Sequence, residues 1–329
     1  MKNLKKMLCA LMAVIVVSSA FAGCDDEKKT SSAAAESTTS VSDTSEAGTT
    51  TTSATTTSAT TTTSSEAETT TLPGDDSSTA STTTSAAVSA GGTVTTIANP
   101  KPAATNLNSA ITNNSDTVAW IKISNTFIDY PVLKTSNNSF YLNHDENKNY
   151  SKAGCLFADY RSTLSSTNQS SNIIIYGHNM ANGSYFASLN NYKQLKFYKN
   201  NPLITFNTTY KNANYVIVAC FYANTLASDD NGTVFKYHNY QNFSSQADFN
   251  TWKDNVTKRS WYTNWIDYGM SDKYITLSTC TNMLNEGRLV VIAREVRSGE
   301  TIDSNKIGTN PNIYFPQDWK NKYGNRVTP

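Results

Sequence analysis

From residue 120 onward, apolar positions come in short blocks, most of them too brief for a helix. Residues 120–123 and 127–133 predict two strands around a Ser124-Asn125 turn. Pro131 sets the second of these near a sheet edge, because proline has no N–H to give to a ladder. A β-branched run at residues 172–176 stops at Gly177, and residues 203–207, 215–222, 274–278 and 289–296 predict further strands. Two stretches keep helical spacing instead. In one, Phe186, Leu189, Tyr192 and Leu195 recur on one face; in the other, Phe249, Trp252 and Val256 do. Such aromatic stripes read as core contacts. Many short strands with few helices predict a mainly β fold, closed or nearly closed into a barrel.

The pattern before residue 120 is of another kind. Lys2, Lys5 and Lys6 precede an apolar run over residues 7–21, which is shorter than the roughly 20 residues of a spanning helix and reads as an export signal. Its end, Phe21-Ala22-Gly23-Cys24, resembles a bacterial lipobox, which makes Cys24 the lipidated N-terminus of the mature chain. Ordinary cleavage near Ala22 and an uncleaved anchor are the competing readings. In residues 31–90, 36 of 60 residues are Ser or Thr, and no aromatic residue lies between Phe21 and Trp120. Such a segment has nothing with which to build a core and reads as a disordered tether. At about 5–6 Å × √n, a chain of about 80 residues has a root-mean-square span of roughly 50 Å. A passive spacer and an O-glycosylated stalk are both compatible with it.

All 5 Trp, all 18 Tyr and 11 of the 12 Phe lie from Trp120 onward, so the rest of the chain makes one domain of about 200 residues, enough for a substantial core. The expected organisation is a signal at residues 1–23, a tether at 24–105, a catalytic domain at 106–297 and an extension at 298–329. In that extension, Tyr314-Phe315-Pro316 and Trp319 supply groups able to pack back on the barrel. A net charge of +1 points to no nucleic-acid partner. The domain holds three cysteines, Cys155, Cys220 and Cys280, which in an exported protein allow one bridge and leave one thiol to explain. Cys155 and Cys220 read as core thiols, with a bridge between them open.

Cys280 is the thiol with chemistry around it. The strand Tyr274-Ile275-Thr276-Leu277-Ser278-Thr279-Cys280 runs into a polar loop of seven residues, and the chain returns at Arg288. A hairpin of this form sets Arg288 opposite Cys280, where a guanidinium stabilises a thiolate or charge on a carbonyl under attack. The bland alternative is an inert buried thiol. A second motif argues against it: Ile173-Ile174-Ile175-Tyr176-Gly177-His178-Asn179-Met180 places a histidine just past a strand. A cysteine nucleophile needs a proton carrier, and His178 has the best context of the three histidines; His144 and His238 read as loop or packing residues.

With these motifs in place, the chain resembles the sortases, and specifically their class B branch, over residues 116–296. The resemblance is carried by Trp120-Ile121-Lys122-Ile123, Ile128-Asp129-Tyr130-Pro131-Val132, Tyr176-Gly177-His178-Asn179-Met180, Leu277-Ser278-Thr279-Cys280 and Arg288-Leu289-Val290-Val291, in that order. A helical insertion around residues 249–256 belongs to the same pattern. The resemblance implies a closed β-barrel of about eight strands with peripheral helices, and a site of His178, Cys280 and Arg288. It implies a cysteine transpeptidase acting on exported proteins that carry a C-terminal sorting signal, cut after threonine; class B members often take an Asn-Pro-x-Thr signal. The acyl group would pass to an amine of a peptidoglycan precursor or of a pilin. No metal or organic cofactor is implied. A backbone N–H near Thr281 would help hold the oxyanion, and Ser278 and Thr279 would either lend hydroxyls to the site or satisfy them within the strand end.

One departure is plain. Sortases commonly carry a transmembrane N-terminal anchor, whereas here a lipid on Cys24 and a long tether would hold the domain to the outer face of a Gram-positive cell membrane. Two other functions compete: a hydrolytic cysteine peptidase, which ends the same acyl chemistry with water, and a non-catalytic lipoprotein binding module. The order His before Cys is opposite to that of papain-like peptidases.

Overall fold

The computed structural model describes residues 96–98, 102–263 and 265–324. The export signal, Cys24 and the Ser/Thr-rich stretch as far as residue 95 lie outside the described residues. A short strand β1 (Thr96–Ala98) and a helix α1 (Leu107–Asn113) lead into β2 (Thr117–Lys122), β3 (Asp129–Leu133), β4 (Phe157–Ala158) and β5 (Asn172–Tyr176). After a 3-10 segment, Phe186–Lys193, come α2 (Leu195–Asn200), β6 (Leu203–Thr208) and β7 (Asn212–Ala223). The chain then crosses to α3 (Gln246–Arg259), forms β8 (Tyr274–Thr281) and β9 (Gly287–Glu295), and ends in β10 (Thr301–Asp303) and α4 (Gln317–Tyr323).

Eight strands close into a barrel in the order β2-β3-β4-β5-β8-β9-β7-β6. Alternation of side chains along each strand divides the core in two. Ile121, Val132, Ala158, Ile175, Phe206, Cys220, Leu277 and Val291, one from each barrel strand, belong to a single buried cluster that fills the interior. The intervening positions Phe221, Tyr274, Val290 and Ile292 face outward and are covered by α3 through Phe249, Trp252 and Val256. The helical spacing of those three residues is why α3 forms there and nowhere nearby. Ser245 caps the helix by accepting from the Asp248 N–H at 3.1 Å, and the Asp248 carboxylate accepts from the Ser244 N–H at 3.0 Å. A cap of this kind is worth about 1 kcal/mol. Trp252 then packs on Tyr274 with ring centroids 5.0 Å apart.

Several elements differ from the sequence expectation, each for a local reason. Strand β4 has only two residues, too few to display a period, and pairs with β3 at the single position Leu133↔Phe157. That sparse pairing leaves room for Pro131 in β3, which needs no partner for an N–H it lacks. The first helical stretch is a 3-10 segment followed by a separate helix, broken where Gln194 turns extended at φ −97°, ψ 117°. The predicted seven-residue loop after Cys280 is five residues long, because Thr281 and Gly287 still pair in the ladder. Finally, β1 pairs antiparallel with β10, which joins residues next to the low-complexity segment to the C-terminal segment.

Candidate active site

Parallel pairing of β5 with β8 brings Tyr176 beside Ser278, and antiparallel pairing of β8 with β9 sets Cys280 opposite Arg288. His178 follows Tyr176 by two residues, as Cys280 follows Ser278. Cys280 and Arg288 are thus a cross-strand pair, and His178 lies two residues past the end of the neighbouring strand β5, at the same end of the barrel. Parity fixes the face. Cys280 alternates with Ile275 and Leu277, which point inward, and shares its side with Tyr274, which packs outward; Arg288 likewise shares its side with Val290 and Ile292. His178, Cys280 and Arg288 are all half-buried.

Each side chain is held by its surroundings. His178 Nε2 lies 2.8 Å from the Leu142 carbonyl oxygen. A carbonyl can only accept, so Nε2 carries a proton and Nδ1 is the ring nitrogen left for chemistry. Gly177 precedes it because nothing larger fits: a Cβ there would lie 2.2 Å from Leu156 Cδ2 and 2.8 Å from Phe186 Cδ2. Arg288 Nη1 donates to the carbonyls of Glu286 and Gly287, at 3.0 Å each, which orients the guanidinium along the turn. Asn179 Nδ2 donates to the carbonyl of Cys280 at 3.1 Å, and Asn190 donates in turn to Asn179 Oδ1 at 3.1 Å. This pair ties the histidine-bearing segment to the backbone of the cysteine.

The supporting residues expected from the sequence fall in two places. Ser278 lies on the same face as Cys280, and its hydroxyl is hydrogen-bonded to the Tyr237 hydroxyl at 2.7 Å. Thr279 and Thr281 have the opposite parity and are buried toward the interior. Thr281 Oγ1 accepts from the Met283 N–H at 3.2 Å and so shapes the turn. Thr279 Oγ1 has no hydrogen-bond partner. Asn179, Asn190 and Tyr237 escaped the sequence reading. Asn179 sits inside the histidine motif and was the one most open to detection, whereas Tyr237 arrives from a polar connection with no periodicity to mark it.

Electrostatics set Cys155 and Cys220 aside as nucleophiles. Cys155, Cys220 and Cys280 are all thiols rather than disulfides, so no bridge joins Cys155 to Cys220. Burial pushes the Cys155 thiol far up, aided by the charges of Glu146 and Asp145, and burial alone does the same to Cys220. Neither supplies thiolate at neutral pH. Among the other histidines, His144 stacks on Phe140 at 4.2 Å with its Nδ1 2.8 Å from the Phe140 carbonyl oxygen. Burial, and then the charge of Arg161, lowers the pKa of His238 and keeps it neutral. Burial raises the Tyr237 hydroxyl, while its bond to Ser278 and the charge of Arg288 pull it back.

Residues 121–296 match the family model of the sortase domain. Sortase B of Listeria monocytogenes is 33% identical over 199 residues, covering 57% of this chain and 76% of that protein. Sortase B of Staphylococcus aureus is 29% identical over 188 residues, covering 56% of this chain and 72% of that protein. Among solved structures, a substrate complex of Staphylococcus aureus sortase B superposes with a TM-score of 0.51 at 28% identity, covering 58% of this chain and 85% of that one. Clostridium perfringens sortase B gives a TM-score of 0.51 at 31% identity, covering 58% and 99%.

Proposed function

The chain belongs to the sortase family of cysteine transpeptidases, which act on surface proteins of the cell envelope, and from that premise we propose that Cys280 is its nucleophile, His178 its proton carrier and Arg288 its oxyanion partner. The observation that supports the assignment is the pairing of Cys280 with Arg288 across β8 and β9, with His178 just past the end of the adjoining β5. The substrate is a C-terminal sorting signal of the Asn-Pro-x-Thr type on an exported protein. The Cys280 thiol passes its proton to His178 Nδ1, the thiolate attacks the carbonyl carbon of the threonine, and a C–S bond forms. Arg288 stabilises the charge that develops on the oxygen, where the forked guanidinium is worth most. Collapse breaks the C–N bond, and His178 gives a proton from Nδ1 to the leaving amine. A thioester on Cys280 remains.

An amine of a peptidoglycan precursor then attacks the thioester. His178 takes its proton, the C–S bond breaks, and the thiolate is restored. A pilin lysine would enter by the same route. The enzyme works at the outer face of the cell membrane, tethered by a lipid on Cys24 and the Ser/Thr-rich segment, with the catalytic domain at 106–297. Among the described residues, no helix is long and apolar enough to cross a membrane.

Incubating the protein with an Asn-Pro-x-Thr peptide, with and without triglycine, tests this reading. Triglycine should raise turnover and yield an amide product. Cys280→Ala should abolish cleavage, whereas Cys155→Ala and Cys220→Ala should keep most of it. Cleavage that ignores the amine would make the protein a hydrolytic peptidase, and an active Cys280→Ala variant would sink the mechanism.

A further inference from the structure

The sortase-domain match ends at residue 296, yet the chain beyond it is built into the fold. Trp319 is fully buried and Phe315 nearly so, both within the interior cluster. The Trp319 ring lies 5.6 Å from Tyr222 and 4.4 Å from Tyr323, centroid to centroid. This packing lays α4 against the turn between β8 and β9, which joins Cys280 to Arg288. Two side chains of α4 bond to that turn. Asp318 Oδ2 accepts from the Asn285 N–H at 2.9 Å, and the Tyr323 hydroxyl donates to the Met283 carbonyl at 3.1 Å.

The turn in turn aims the arginine. Both carbonyls that receive Arg288 Nη1 belong to Glu286 and Gly287, at its far end. The Glu286 carbonyl also accepts from Thr225 Oγ1 at 2.7 Å, and Glu286 itself has a left-handed backbone, φ 48°, unusual for a residue with a side chain. Gly287 cannot be larger, since a Cβ there would lie 2.5 Å from the Leu284 Cβ. A turn with this geometry needs support from outside. The same C-terminal segment reaches the other wall of the site: the Tyr314 hydroxyl and the Gln317 N–H both donate to Asp230, each at 3.1 Å, in the connection between β7 and α3 that carries Tyr237.

We propose that the C-terminal segment is a clasp, in which Asp318 and Tyr323 are positioning residues that hold the β8–β9 turn so that Arg288 stays aimed at the oxygen of the carbonyl attacked by Cys280. The proposal rests on the assignment of Cys280 and Arg288 made above. An interaction that matters only once the oxyanion forms lowers kcat when it is misaimed and leaves substrate binding largely intact.

The test compares the full-length protein with Asp318→Ala, Asp318→Asn and Lys322→Ala, using steady-state transpeptidation of the Asn-Pro-x-Thr peptide. Asp318→Ala should lower kcat about tenfold, with KM changed less than about twofold. Asp318→Asn should recover most of the rate, because its amide oxygen can still accept from Asn285. Lys322 Nζ pairs with the same Oδ2 of Asp318 at 2.9 Å, and Lys322→Ala, which leaves the Asn285 bond in place, should change kcat less than about twofold. In an Arg288→Ala background, Asp318→Ala should cause no further loss, since the arginine it positions is gone. An unchanged kcat in Asp318→Ala, or a loss of equal size in the Arg288→Ala background, would overturn the clasp. Activity in Cys280→Ala would instead overturn the site assignment on which it rests.

Discussion

At the scale of single residues, the site depends on what is absent as much as on what is present. Gly177 leaves the space that Leu156 and Phe186 occupy, and so fixes where the chain turns out of β5 toward His178. Gly177→Ala is expected to cost about 1–3 kcal/mol in urea unfolding, the range for overpacking a filled core. It should also lower kcat more than it raises KM, because the histidine is displaced while the peptide groove is untouched. Normal kcat in a folded Gly177→Ala variant would show that the histidine finds its position by other means. The same reasoning explains the three thiols. Burial disarms Cys155 and Cys220, which leaves the half-buried thiol at a strand end opposite Arg288 as the one we propose to react.

Among the elements, the connection leading into α3 is the least regular part of the wall, and an ion pair with a buried carboxylate and a partly exposed guanidinium holds it. Asp159 is fully buried after β4, and Arg161 bonds to both its oxygens, Nε to Oδ1 at 2.9 Å and Nη2 to Oδ2 at 2.8 Å. Arg161 Nη2 also donates to the His238 carbonyl at 2.9 Å, beside Tyr237, and the Tyr176 hydroxyl donates to Asp159 Oδ2 at 2.9 Å. Burial alone would raise the Asp159 carboxyl, but the bonds from Arg161 and Tyr176 outweigh it and hold it below the usual 3.8. A depressed carboxyl contributes stability that is present above the ordinary carboxylate pKa and is lost as pH falls through the folded value. Asp159→Asn should therefore cost about 2 kcal/mol at neutral pH, between an exposed pair and one buried on both sides. The urea midpoints of variant and parent should begin to converge as the pH falls below about 4 and meet once it has fallen through the lowered folded value, where the parent's carboxylate is protonated too. A constant difference from pH 7 to pH 3 would mean the loss is one of packing rather than charge.

For the whole molecule, the barrel and the C-terminal segment share one core. Trp319 meets Tyr222 of β7, Arg294 of β9 is buried and bonds bidentately to Glu300, and β10 pairs with β1. Trp319→Ala should cost about 3–5 kcal/mol, as a fully buried tryptophan in a packed core does. Denaturant unfolding followed by circular dichroism should remain a single transition with its midpoint lowered. Two separated transitions would show that the C-terminal segment folds as a unit of its own. The same architecture explains how the active-site turn can be short and strained yet ordered: the segment that steadies it is anchored in the interior.

The sequence by itself determined the β-rich class, the main strands, the helical spacing of α3 and the candidacy of His178, Cys280 and Arg288. These rest on local signals: alternation, β-branched runs and chemically unusual residues at strand ends. Only the tertiary structure decided which strands lie side by side, and hence that the three residues come to the same end of the barrel on neighbouring parts of the sheet. The β5–β8 pair joins positions about 100 residues apart, and no local period encodes such a pairing. For the same reason Asn179, Tyr237 and Asp318 were invisible in their site roles. Each acts through one hydrogen bond to a distant part of the chain, and a hydrogen bond of that kind is set by the packing of whole elements rather than by neighbours in sequence. The two-residue β4 and the short α4 carried too few positions to show a pattern, and long-range pairing and a buried tryptophan fixed them in place.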